Sequence, residues 1–449
     1  MRRTAALILI AAFFMPGLST ERTPPETEQR PNILLIVTDD QRPGTLRYMR
    51  FVRNFFERSG RFYRNAYVTT PLCCPSRASI MTGDYAHNHG VINNQSVVAL
   101  DHNETVQAVL QAGGYTTAMV GKFLNGWGLN APPHFDRFAL VRGNTEHFNQ
   151  TFNVDGDAVS QTGYTTDFIG RMSRRFVLSF ERSDQSPWFL YLALTAPHKP
   201  FQAAPRHRDA PPPRWRPNPA VLERDLSDKP PFVRQPAVQT TPADGRRIFV
   251  AQYRMLLSID QQLQRLWDVV TRAGEARNTI VVFMSDNGYL HGEHGLGNKT
   301  VPYLHSVHVP MAARWPGHIP QGSSDQVVAN IDVAPTILQA AGIGPARQMD
   351  GRSLLAPNGR NRMSLEYWRS RDINLGTPRW ASIITKGKQY TEYYGANERV
   401  TFREYYNLVT DPWQLRNRLG NGNPDDNPDV TAERAQLRTD LVCSGPTCP

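Results

Sequence analysis

Three stretches of this chain are apolar without a break, a fourth is interrupted only by two threonines, and each halts at side chains able to do chemistry. Ile33–Val37 runs into Thr38-Asp39-Asp40, and Ile280–Met284 runs into Ser285-Asp286-Asn287-Gly288. Tyr115–Val120 ends at Gly121-Lys122, and Trp188–Leu194 ends at Thr195-Ala196-Pro197-His198. A run that is apolar at every position, rather than at alternate ones, predicts a strand buried on both faces. Elsewhere the period changes. Leu256, Ile259, Leu263, Leu266 and Val270 recur at the spacing of one helix face, and the stripe stops before Gly274. Strands alternating with amphipathic helices predict an α/β fold with a large mixed, mostly parallel sheet sandwiched by helices. Ligands of such sheets bind beyond the carboxyl ends of the strands. Asp39, Asp40, Lys122, His198, Asp286 and Asn287 are therefore expected to meet at one edge. There is no internal repeat.

Two segments break this alternation. From Pro197 to Pro242 prolines are interleaved with Arg206, His207, Arg208, Arg214 and Arg216. So long an irregular stretch is usually functional or disordered. Because it starts beside His198, an ordered cationic rim shaping substrate access is expected. From about Arg352 short strand-like runs appear, at Trp380–Thr385 and Tyr390–Tyr394, followed by a polar stretch at Gly420–Pro428 and a helix near Val430–Leu441. They predict a smaller C-terminal α+β domain with an antiparallel sheet over 351–449, packed on a larger domain over 31–350.

Composition sets bounds on class. At 449 residues, 40% hydrophobic and 20% charged, the chain suits an ordinary globular protein with a large core. Its first twenty residues do not. Arg2 and Arg3 precede an apolar run from Ala5 to Met15, and Gly17-Leu18-Ser19 offers small residues for cleavage, the pattern of a secretory signal peptide. No other segment is apolar enough to span a bilayer, so an exported protein without a membrane span is expected. The formal charge of +10, or +8 without Arg2 and Arg3, favours anionic partners. No nucleic-acid motif accompanies it. Among four cysteines, Cys443 and Cys448 close a short loop suited to a disulfide, whereas adjacent Cys73 and Cys74 are badly placed to pair with each other. Sequons occur at Asn94, Asn103, Asn149 and Asn298.

Residues 73–83 carry the most specific signal: Cys-Cys-Pro-Ser-Arg-Ala-Ser-Ile-Met-Thr-Gly. Proline favours the first helical position, which puts Cys73 just ahead of a helix N-terminus, where N–H groups attract anions. The order Cys-x-Pro-Ser-Arg followed by Thr-Gly resembles the signature of the type I sulfatases. Gly114-Tyr115-Thr116-Thr117-Ala118-Met119-Val120-Gly121-Lys122-Phe123-Leu124 is similar to the second signature of that family. The resemblance extends from about Pro31 to Pro412 and implies an alkaline-phosphatase-like fold.

It also implies a chemistry. Cys73 would be oxidised to formylglycine by a maturation enzyme, and its hydrate would be the nucleophile. Asp39, Asp40, Asp286 and Asn287 offer only oxygen, which suits a hard cation, and the resemblance implies one calcium ion with the modified Cys73 as a further ligand. Arg77 would hold the hydrated aldehyde, and Asp286 would activate it. Lys122 and Lys299 would contact the sulfate, and His198 would help the leaving alcohol depart. Tyr164–Asp167 and Asp411-Pro412 look family-like but are expected to serve structure.

One departure is specific. Many arylsulfatases carry a histidine two residues after the signature lysine, where this chain has Leu124 followed by Asn125. That form, with Cys74, is closer to the N-acetylglucosamine-6-sulfatase and heparan endosulfatase branch. It leaves the base for regenerating the aldehyde among His87, His89, His291 and His294. Competing readings are a phosphonate or phosphodiester hydrolase of the same superfamily and a catalytically silent polyanion-binding protein. A zinc phosphatase is disfavoured, because Asn287 stands where a zinc ligand would be expected.

Overall fold

The computed structural model describes residues 29–142, 146–356, 359–370 and 375–449. The segment read as a signal peptide lies outside them.

The strands are β1 (Asn32–Thr38), β2 (Arg61–Tyr67), β3 (Thr116–Gly121), β4 (Arg137–Val141), β5 (Thr151–Val154), β6 (Asp157–Ser160), β7 (Trp188–Ala193) and β8 (Thr279–Ser285). They continue as β9 (Leu290–His291), β10 (Gly297–Asn298), β11 (Met311–Arg314), β12 (Gly322–Ala329), β13 (Met363–Tyr367), β14 (Arg379–Ile384), β15 (Lys388–Tyr394) and β16 (Val400–Asn407). Ten of them form one sheet in the order β12-β2-β11-β8-β1-β7-β3-β4-β5-β6. Within it β11 and β5 run against the rest, so the sheet is mixed and mostly parallel, as the apolar runs predict. All four of those runs are strands of its centre.

Side chains of a strand alternate between faces, and β1 feeds two cores in that way. Ile33, Leu35 and Val37 pack with Ala78, Ile80, Val106, Leu110, Ile337 and Leu338 of the helices Cys73–Thr82, Val106–Ala112 and Val333–Ala341. Leu34 and Ile36 pack with Val52, Phe56, Phe168 and Phe176 of the helices Arg50–Ser59 and Thr165–Ser183 on the other face. The predicted stripe from Leu256 to Val270 lies in that second core too. Its helix is longer than the stripe, Pro242–Arg272, because Thr241 and Asp244 form a capping box and Pro242 takes the first position.

The remaining strands β13-β14-β15-β16 make a four-stranded antiparallel meander followed by the helix Thr431–Asp440. Cys443 and Cys448 form the expected disulfide, and Cys73 and Cys74 are free and buried. The segment 197–242 is built of short turns, tied down where Arg206 pairs with Asp167 at 2.6 Å.

Candidate functional site

The four central strands β8-β1-β7-β3 are neighbours and parallel, so their carboxyl ends deliver one set of side chains. Asp39 and Asp40 follow β1, Asp286 and Asn287 follow β8, Lys122 follows β3, and His198 lies a short loop beyond β7. Local backbone sets the aim. Asp40 is left-handed at φ 67°, an arrangement that costs energy without glycine and here lets Gln41 N donate to Ser285 Oγ at 2.9 Å. Gly121 has φ 114°, and a Cβ there would stand 1.8 Å from Ala193 O, so only glycine can precede Lys122.

Cys73 and Arg77 come from the helix Cys73–Thr82. It begins at Cys73 itself, earlier than a proline-first reading predicts, with Pro75 in its third position. Proline is tolerated there because N–H groups of the first turn have no acceptor within the helix. Asn94 Oδ1 accepts from one of them, Cys74 N, at 3.1 Å. Lys299 follows β10.

These residues meet. Arg77 Nε donates to Asp286 Oδ2 at 2.9 Å and Nη1 to Lys122 O at 2.7 Å, while Nη2 lies 3.5 Å from Asp39 Oδ2. Lys122 Nζ reaches Asp39 Oδ2 at 2.6 Å. Lys299 Nζ pairs with Asp40 Oδ1 and stands 3.0 Å from Cys73 Sγ, which lies 3.7 Å from Asp39 Oδ1. Asn287 Nδ2 donates to Asp40 Oδ1 at 2.6 Å, and His198 Nε2 sits 3.5 Å from Asp40 Oδ2. All nine residues selected from the sequence thus share one cluster. Eight are buried, and His198, with 12% of its side chain exposed, faces outward.

The charges hold one another in unusual states. Burial pushes the Asp39 carboxyl up, but Lys122, His198 and Arg77 outweigh it and hold the group far below the usual carboxylate range. Burial and the neighbouring Asp39 raise Asp286. The same two causes push the Cys73 thiol up to about 11, so at neutral pH it is protonated and a weak nucleophile. Burial opposes the charge on Lys299, but Asp40 and the other carboxylates raise it well above the ordinary lysine value. His198 is lowered by burial despite Asp40 and Asp39.

Two buried oxygens, Asp40 Oδ2 and Asn287 Oδ1, accept no hydrogen bond. Buried polar atoms are normally paired, and an all-oxygen donor set suits a hard cation. Asp39 and Asp40 bring carboxylate oxygens within 4.8 Å of each other, with Cys73 Sγ and a His198 nitrogen in the same span, and together with the two unpaired oxygens the carboxylates fit a hard-cation site.

Other residues singled out in the sequence lie around the cluster rather than in it. Leu124 is a core residue packed under the sheet, and Asn125 N donates to Cys74 Sγ at 3.1 Å. The four candidate base histidines stand outside the cluster. His87 is tied to Glu366, His89 to Ser79 and His294 to Glu223, while His291 meets Gln252. The Asn94 sequon is buried, which leaves no room for a glycan there. Two neighbours of the site were missed. Gln252 Nε2 donates to Asp40 O and Pro197 O, and a polar residue in register with Leu256 and Ile259 on a buried stripe was the available signal. His147 Nε2 lies 2.8 Å from His198 O, and nothing in its sequence surroundings marks it.

Buried cations and carboxylates gathered at the carboxyl edge of this mixed sheet are the setting of a hydrolase of anionic esters with an alkaline-phosphatase-like fold. A family model described as Sulfatase matches residues 31–343, and one described as N-sulphoglucosamine sulphohydrolase, C-terminal, matches 292–438. The chain belongs to the sulfatase family and is a sulfuric ester hydrolase. It is 30% identical to human N-acetylglucosamine-6-sulfatase, over 94% of this chain and 86% of that one. It is 31% identical to an extracellular sulfatase SULF-1 homolog of Drosophila melanogaster, over 76% of this chain and 32% of that one. Its fold is similar to that of a protein solved with its substrate D-glucosamine-2-N,6-O-disulfate (TM-score 0.75, 23% identity, 92% and 97% of the two chains). The phosphonate monoester hydrolase of Agrobacterium radiobacter shares it as well (TM-score 0.73, 19% identity, 92% and 96%).

Proposed function

We propose that the protein is an exported, calcium-dependent sulfatase acting on sulfated amino sugars, with a formylglycine made from Cys73 at its centre. The observation that carries this reading is the seat of Cys73, in the first turn of a helix, 3.0 Å from Lys299 Nζ and 3.7 Å from Asp39 Oδ1. Formylglycine there supplies a carbon bearing two hydroxyls, which neither cysteine nor serine offers. Asp39, Asp40, Asp286, Asn287 and the modified Cys73 would hold calcium, which supplies charge neutralisation for sulfate oxygens.

The chain's own groups do the rest. Arg77 fixes Asp286 against the nucleophile position. Lys122 and Lys299 direct positive charge at the sulfuryl group, the kind of term that is usually the largest in such catalysis. His198 stands at the outward end of the cluster, where the leaving alcohol departs. Its Nε2, 3.5 Å from Asp40 Oδ2, is placed there to hand the departing oxygen a proton. The substrate class follows the named relatives. Export follows the apolar leader at 1–20 and the extracellular relative, and among the described residues no helix is long and apolar enough to cross a membrane.

The test is the mass of the tryptic peptide Asn65–Arg77 from protein made beside a formylglycine-generating enzyme. A mass matching the aldehyde or its hydrate supports the reading, and an intact thiol in a competent host overturns it. Because phosphonate hydrolases share the fold, sulfate and phosphate esters of one alcohol should be compared, with faster release of sulfate expected.

A further inference from the structure

Next to the catalytic cluster is a cavity of about 520 Å³, and nothing in the mechanism above uses it. Its walls are chain that leaves the same strand ends. Arg42 and Arg47 follow β1, Glu293 follows β8, and Arg214–Pro217 belong to the proline-rich segment after β7. Gln252 bridges the interval between the two sites. Its Nε2 reaches Asp40 O at 3.2 Å on one side, and its Oε1 meets His291 Nε2 at 2.8 Å on the other.

The lining is strongly cationic. Arg42, Arg47, Arg214 and Arg216 face a single carboxylate, Glu293. That carboxylate is buried and already engaged, by Arg42 Nη2 and Asn218 Nδ2 at 2.8 Å and by His291 N at 2.6 Å. Arg47, Arg214 and Arg216 have no acidic partner among the described residues, and Arg214 and Arg216 are exposed. Trp215 and Trp413 add flat apolar walls. Guanidinium forks pair with sulfate and carboxylate in two-pronged geometry, and aromatic faces offer apolar area to a sugar ring.

We propose that this cavity is a subsite for a second anionic sugar, sulfated or carboxylated, on the same glycan chain as the ester being cleaved. It rests on the sulfatase reading and extends it, since the preferred substrate becomes an anionic oligosaccharide rather than a single sugar. The subsite also gives the proline-rich segment a role, because Pro197 leaves the catalytic edge and Arg214 and Arg216 line the cavity next to it.

The test uses the full chain with Arg214→Ala and Arg216→Ala together, positions whose exposure and lack of partners spare the fold. Kinetics compare a 6-sulfated glucosamine monosaccharide with a sulfated hexasaccharide that contains it. The KM for the hexasaccharide should rise at least about tenfold, since two guanidinium groups that can each donate a charge-assisted hydrogen bond are removed, with kcat and the monosaccharide KM unchanged. Calorimetric titration of the same hexasaccharide into Cys73→Ala protein, with and without the two arginines, should give the same fold-loss, smaller at high salt.

Equal losses for monosaccharide and hexasaccharide, or no loss in either arm, overturn the subsite. A hexasaccharide without the 6-sulfate that binds through the two arginines yet never inhibits monosaccharide turnover overturns the same-chain assignment. Failure of the function itself looks different. Wild-type protein that cleaves no sulfate ester, but whose hexasaccharide binding still depends on the arginines, would sink the sulfatase reading and leave the cavity as a site for anionic sugars.

Discussion

Cys73 sits in an environment that suppresses a thiolate, since burial and Asp39 both oppose negative charge on its sulfur. Lys122 and Lys299 lower the thiol pKa without reversing that result. The residue therefore makes chemical sense as a precursor. Cys73→Ala should cut turnover at least about a thousandfold, as loss of a nucleophile does, and leave the unfolding midpoint unchanged. Sulfate release and a thermal melt check both, and substantial residual activity would move the nucleophile elsewhere. His89 is a residue of another kind, a neutral strut. Its ring lies 3.0 Å from Ser79 Oγ and accepts from Val91 N at 3.1 Å, and burial lowers its pKa to about 3. The unfolded chain then binds a proton below pH 6.5 that the native state refuses. Its contribution is complete above that pH and declines by about 1.4 kcal/mol per pH unit as pH falls towards 3. His89→Gln should shrink the drop in urea midpoint between pH 7 and pH 4.5, and an unchanged drop would refute the assignment. At this scale the sequence was informative where chemistry interrupted a pattern. Asp39, Asp40, Lys122, Asp286 and Asn287 each follow a strand-like run, whereas His147 acts through a contact that only folding creates.

The loop that carries Lys299 shows how one element is held by another. Asn298 and Thr300, on either side of the lysine, have left-handed φ of 73° and 77°, which costs on the order of 1–3 kcal/mol each in non-glycine residues. The small sheet fixes this strained segment. Trp380 Nε1 of β14 donates to Thr300 O at 2.9 Å, and Gln389 Nε2 of β15 donates to Pro302 O at 2.8 Å. Tyr303 OH donates to Glu404 Oε1 of β16 at 3.0 Å, and Tyr406 shares the same carboxylate at 2.7 Å. Trp380 is thus a positioning residue for Lys299. Trp380→Phe keeps a buried ring but strands the Thr300 carbonyl, and should lower kcat/KM about tenfold. In a Lys299→Ala background the same change should cost almost nothing more, because the two act through one contact. Additive losses would reduce Trp380 to a packing residue. The strands β14 and β15 are legible as short strand-like runs, but their partners lie about eighty residues earlier in the chain, a separation that no local pattern encodes.

Across the whole molecule the two sheets share their packing. Tyr67, Val307, Val327 and Ile331 from the large-sheet side form one cluster with Met363, Leu365, Trp380 and Tyr393 from the small sheet, and Cys443 and Cys448 join it. Below them Arg360 Nη1 and Nη2 grip the Asp332 carboxylate at 2.5 and 2.8 Å, both partners buried. Asp332 also accepts from Ala329 N and Arg352 N at 2.8 Å, which links the end of β12 to the chain that enters the small sheet. The change of pattern near Arg352 is thus a change in local structure, while the core runs on across it. A separate folding unit over 351–449 would have to expose Met363, Leu365 and Trp380 of β13 and β14, which pack against the large-sheet side. Heating should therefore give one cooperative transition, with calorimetric and van't Hoff enthalpies equal. Asp332→Ala, which leaves a buried guanidinium unpaired, should lower stability by about 3–5 kcal/mol and shift that single transition as a whole. Two separated transitions, or a folded fragment 351–449, would mean that the small sheet stands alone, and Lys299 would then be held by a domain able to move.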